Sequence, residues 1–86
     1  MIDINEIELE KGRKYCIVLV GEIGIMETIS QFCRVRNNEI SFENPIHIKL
    51  NNFDSIEERN HICNVEDFKN LKYEIKGKNE TVYVYE

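Results

Sequence analysis

The residues closest to recognisable site chemistry are His61 and Cys63, separated by Ile62. Imidazole and thiolate are preferred zinc ligands, and the same two groups can make a base and its nucleophile. A structural zinc site wants about four such ligands, usually as two spaced pairs. Here Cys16, Cys33 and His47 are scattered singly along the chain. A nucleophilic cysteine also needs a depressed thiol pKa and an orienting third group. Cys16 lies inside an apolar run, and Cys33 falls on the apolar side of a hairpin, so both read as inert. His61 reads as a polar residue at a helix end and Cys63 as a small core residue.

Two further patterns resolve the same way. Glu57, Glu58, Glu66 and Asp67 gather in one segment, but acid–base work requires one carboxyl of a pair to be desolvated. These sit where helix ends would be solvated. Gly21-Glu22-Ile23-Gly24 has the G-x-x-G spacing that clamps RNA backbone in some modules. There it joins helices and is basic; here it carries Glu22 between strand-like runs, so it reads as a turn. The sequence therefore points to no catalytic residue, no metal site and no cofactor, and to a non-enzymatic protein.

Two binding surfaces remain. Lys14, Arg34 and Arg36 form a local basic group, extended by Lys11 and Arg13. They would hold a phosphate or an oligonucleotide if their strands lay together. Glu39 and Glu43 are their acidic cross-strand neighbours and would neutralise the arginines. The other surface is Tyr83 and Tyr85 with Lys72. Exposed tyrosines beside charge give contact area at low entropic cost and are favoured at protein interfaces.

The elements that position these residues are mostly hairpins. A first hairpin joins residues 15–20 to Ile23, Gly24, Ile25 and Met26 through Gly21-Glu22, a two-residue loop whose first glycine suits a positive φ. That pairing sets Val20 opposite Ile23, Val18 opposite Ile25 and Ile17 opposite Met26. Both faces are apolar, so both are expected to be covered. A second hairpin turns at Asn37-Asn38, residues that tolerate left-handed backbone. It pairs Arg36 with Glu39, Val35 with Ile40 and Cys33 with Phe42. Asn44-Pro45 interrupts, and Ile46, His47, Ile48, Lys49 and Leu50 resume with strict alternation.

Residues 51–71 carry helix-start signals instead. Ser55 and Glu58 have capping-box spacing, Asn64 and Asp67 suit another start, and Cys63 and Phe68 are spaced as a hydrophobic staple. One or two short helices are expected there. Residues 3–11, ended by Gly12, suit either a further short helix or a strand. A last hairpin runs from Leu71 through Gly77-Lys78 to Tyr85, with Leu71, Tyr73, Ile75, Val82 and Val84 inward and Tyr83 and Tyr85 outward. A three-residue loop would shift the register by one and bury the tyrosines.

At 86 residues with 42% hydrophobic and 31% charged composition, the chain is expected to form one globular domain, residues 1–86. The net charge of −5 disfavours a dedicated nucleic-acid or membrane-surface binder. Three separated cysteines and an acidic start without an apolar segment imply a soluble protein in the reducing cytoplasm. Abundant Ile, Asn, Lys and Glu suit an AT-rich source, as in some bacteria, archaea and their viruses, and the size and composition would suit an accessory or inhibitor protein of a mobile element.

The stretch 15–50 resembles the small β-barrels of Sm-like proteins. The resemblance rests on a possible helix before it, the strand ending Leu19, Val20, Gly21, and the run Ile40-Ser41-Phe42-Glu43-Asn44-Pro45. The acidic-asparagine and arginine-glycine loop residues with which that family binds RNA have no counterpart here, so the resemblance implies architecture alone. The expected fold is a β-rich α+β domain. It would be a small antiparallel sheet or partly closed barrel, Sm- or SH3-like in size, with one to three short helices. The expected role is a protein–protein interaction module that could form homo-oligomers, with oligonucleotide or nucleotide binding as the alternative.

Overall fold

Strands dominate the computed structural model, which describes residues 7–43, 46–50, 55–58, 62–65 and 67–86. The elements are β1 (Lys14–Gly21), β2 (Gly24–Arg36), β3 (Glu39–Phe42), β4 (Ile46–Lys49), β5 (Ser55–Glu58), β6 (Ile62–Val65), β7 (Phe68–Lys76) and β8 (Glu80–Tyr85). All pairings are antiparallel. The order is β4-β3-β2-β1-β8-β7-β5, with β6 also on β7. The two ends of this path, β4 and β5, are not paired with each other, so the sheet is not closed.

The sheet nevertheless curls. Ile40, Phe42 and Ile48 from one end of the order share an apolar cluster with Tyr73, Ile75, Val82 and Val84 from the other. The bend lies in β2, whose thirteen residues serve both halves. A bulge between Phe32 and Arg34 breaks its ladder with β3, and bulges bend and twist the strand that carries them. Because of the extra residue, Phe42 faces Phe32 and not Cys33. Phe32 and Tyr15 both meet Phe42 edge-on, with centroids 5.8 and 6.4 Å apart.

Among the described residues no helix forms where start signals were expected; residues 3–6, 51–54, 59–61 and 66 of those segments lie outside them. Ser55–Glu58 and Ile62–Val65 are strands, both laid against β7. A capping signal helps a helix only when enough residues follow to repay nucleation, and here pairing to β7 takes up the backbone groups instead. Residues 7–10 are irregular as well, and Lys11-Gly12 turns with Gly12 at φ 86°. This segment straps the core. Ile7 and Leu9 pack against the cluster. The N–H groups of Glu8 and Glu10 donate to the hydroxyls of Tyr73 and Tyr15, each at 2.8 Å. Buried tyrosines seek a partner for their hydroxyl, and the strap supplies it.

Two hairpins slip by two residues from their expected register. β1 and β2 turn through Glu22-Ile23, so Val20 faces Ile25 and Leu19 faces Met26. The glycine with positive φ is Gly24, at 145°, and not Gly21. β7 and β8 turn through residues 77–80, closed by the Gly77 N–H donating to the Glu80 carbonyl at 2.8 Å, and Tyr73 faces Val84. A slip of two keeps every side chain on its face, whereas a slip of one would invert them all. The Asn37-Asn38 turn is as expected: φ is 53° and 60°, and Arg36 faces Glu39.

Candidate functional site: the outer tyrosine face

The face of the sheet turned away from the cluster is set by alternation along β1 and β8. Val18 pairs with Tyr83 and Cys16 with Tyr85, while Tyr15, Ile17, Val82 and Val84 point into the core. Tyr83 and Tyr85, two residues apart on β8, lie half-buried and stacked, with centroids 6.3 Å apart and planes 23° from parallel. Across β1, the register continues to Glu27 and Ile29 on β2. Ile25 and Ile29 extend the apolar surface and are 74% and 43% exposed. The first hairpin, expected to be covered on both faces, is covered on both at its base, where Cys16 and Ile17 are buried, and exposed on both near its turn, at Ile25 and Met26.

At the other end of this face a second bulge, between Leu71 and Tyr73, sets Leu71 against Tyr85. Leu71 was expected beside Val84 in the main core, but it is buried at 2% exposure opposite Tyr85, near fully buried Cys16. Lys72, within the bulge, reaches the Glu86 carboxylate at 3.2 Å. Burial works against its charge, but the Glu86 carboxylate outweighs this and raises its pKa above the ordinary lysine value of 10.5. Lys72 thus fixes the chain end beside the tyrosines.

The basic residues sit elsewhere. Lys14 begins β1 opposite Gln31, while Arg34 and Arg36 lie beyond the bulge in β2 opposite Ser41 and Glu39, all three exposed. Glu39, expected to neutralise Arg36, instead meets His47 Nδ1 at 3.1 Å. Ser41 Oγ lies 3.2 Å from both Glu39 Oε1 and His47 Nδ1.

This Ser41–His47–Glu39 triangle went unseen in the sequence, because only the β3–β4 register sets Ser41 against His47. It has the residue types of a hydrolytic triad but not the connectivity. Serine and carboxylate converge on the same ring nitrogen, whereas a relay needs them on opposite nitrogens. One nitrogen cannot both accept from serine and donate to carboxylate, so the triangle is a polar clasp between strands.

No family model, curated protein or solved structure matches this chain.

His61 and Glu66 lie outside the described residues. The side chains of Glu57, Glu58 and Cys63 do so too, although their backbones run in β5 and β6. Asp67 is exposed at a turn. Cys16 is fully buried and Cys33 half-buried. Among the described residues, no three His, Cys, Asp or Glu side chains are grouped to hold a metal ion, and no helix is long and apolar enough to cross a membrane.

Proposed function

We propose that this chain is a non-enzymatic protein-interaction module that engages a protein partner, its own copies included, through the outer face around Tyr83 and Tyr85. One observation carries the reading: two stacked, half-buried tyrosines share the outer face with half-buried Val18 and Val20 and with exposed Ile25 and Ile29. Contiguous exposed apolar surface of this kind marks interaction sites in soluble proteins, and rigid aromatics are favoured anchors within them. The curled, unclosed sheet is read as a partly closed barrel. A cytoplasmic accessory or inhibitor protein of a virus or mobile element suits its size and charge. Substituting Tyr83 and Tyr85 together with Ser should weaken self- or partner association at least roughly tenfold and leave the fold intact. Unchanged association removes the reading.

A second reading, oligonucleotide or nucleotide binding through Lys14, Arg34 and Arg36, gains support from the diversion of Glu39 to His47, which engages elsewhere one of the two acids, Glu39 and Glu43, expected to neutralise the arginines. Single-stranded RNA or DNA bound at low salt, and released steeply as salt rises, would establish it. No binding at low salt would end it.

A further inference from the structure

The strap before β1 lies on the sheet without joining it. Ile7 and Leu9 pack against the core cluster while Glu8 and Glu10 between and after them are exposed. That is the alternation of an extended segment, yet residues 7–10 pair with no strand among the described residues. The cause is direction. The two hydroxyls that anchor the strap belong to Tyr15 of β1 and Tyr73 of β7, and β8 lies between those strands. The strap therefore runs across the strands, where no ladder can form. Two amide-to-hydroxyl bonds of 2.8 Å and two aliphatic side chains hold it. The Glu10–Arg13 pair, 3.9 Å apart with side chains 76% and 45% exposed, adds little. Where the strap ends, the Arg13 N–H donates to the Glu10 carbonyl at 3.1 Å, and Gly12, at φ 86°, holds the positive φ that the third residue of a type II turn requires. Beneath it Tyr15 and Tyr73 are each 1% exposed.

We propose that the strap is the displaceable occupant of a peptide groove over Tyr15 and Tyr73. It swings out about Gly12, and an extended segment of another protein, with aliphatic residues two apart, takes its place. The seated strap selects that occupant. Its aliphatic side chains cover the cluster, and the residue after each of them donates a main-chain N–H to a tyrosine hydroxyl. Water can replace the amides but leaves apolar surface bare, whereas a segment of this pattern supplies both. The residue after each aliphatic must not be proline, which has no N–H to give. Release breaks no ladder hydrogen bond, so it needs less than unfolding of the sheet, and segments held by few contacts are where local opening is found. The groove lies on the core side, away from Tyr83 and Tyr85.

The probe is a synthetic peptide of residues 5–12, labelled for fluorescence anisotropy and added to the full chain. In wild type, the amides of Glu8 and Glu10 should be at least roughly a hundredfold less protected from hydrogen exchange than those of β1, β7 and β8. Ile7→Ser/Leu9→Ser, which loosens the strap, should keep the circular dichroism of the sheet. It should bind the peptide at least roughly tenfold more tightly than wild type, because the groove no longer carries its own occupant. Tyr73→Phe added to that variant should weaken binding, and a peptide carrying Glu8→Pro should bind at least roughly tenfold less well. Strap amides that exchange only on global unfolding would overturn the proposal. So would an Ile7→Ser/Leu9→Ser chain that unfolds, since the strap would then be an integral part of the core. Equal affinity of the two chains or of the two peptides would overturn it too, as would no binding to the loosened chain at about 1 mM peptide. Binding abolished by Tyr83→Ser/Tyr85→Ser and untouched by Tyr73→Phe would overturn it while leaving the tyrosine reading standing.

Discussion

Backbone geometry at single residues decides the turns on which everything else is hung. Asn37 and Asn38 both hold left-handed φ, a conformation that a β-branched side chain adopts only at a cost of about 1–2 kcal/mol. Asn38→Val should lower unfolding stability by about that amount in urea titration, whereas Asn38→Gly should stay close to wild type. Lys72 makes a different residue-scale prediction. Its folded pKa is raised above 10.5 by Glu86, so the stability it contributes is fully present below the unfolded value and is lost as pH rises through the folded one. Wild type should therefore lose stability across the alkaline range more steeply than Lys72→Gln, measured by urea midpoints from about pH 9 to pH 12. Parallel curves would show that the Lys72–Glu86 contact contributes nothing to the fold.

At the scale of elements, the strap and the bulges do what no single strand could. Residues 7–10 hang on two tyrosine hydroxyls, and a hydrogen bond of this kind contributes about 1 kcal/mol. Tyr73→Phe and Tyr15→Phe should each cost about that much, and each should speed amide exchange at Glu8 or Glu10 respectively while core strands stay protected. The β2 bulge separates the fates of two cysteines. In a Cys63→Ser background, Cys33 should react with a thiol reagent in the folded chain, and Cys16, fully buried, only on unfolding. The hairpins were legible because turn residues and alternating faces agreed, and a two-residue register slip left those faces untouched. The helix signals at Ser55 and Asn64 misled because capping is local. Whether a four-residue segment coils or pairs depends on β7, which lies later in the chain. The bulges at Phe32 and Leu71 were invisible for a related reason: nothing in Cys33 or Lys72 marks an extra residue until the partner strand is in place.

Across the whole molecule, an open sheet curled by the β2 bulge buries one face thoroughly and leaves the other partly apolar. The outward direction of Tyr83 and Tyr85 depended on the hairpin register, and it holds because that register slipped by two residues and not by one. The extension of that surface through Ile25 and Ile29 was not legible in the sequence, because a two-sided apolar hairpin implied a cover on both sides. Association through an uncovered apolar face resists salt, unlike contacts with phosphate, which weaken steeply as salt rises. The most direct test is the native mass of the full chain, compared with Tyr83→Ser/Tyr85→Ser by sedimentation velocity at matched concentrations. Wild type should run as an associated species that persists as salt is raised, and the double variant should shift toward the monomer with its circular dichroism unchanged. Identical masses for the two chains would contradict the account.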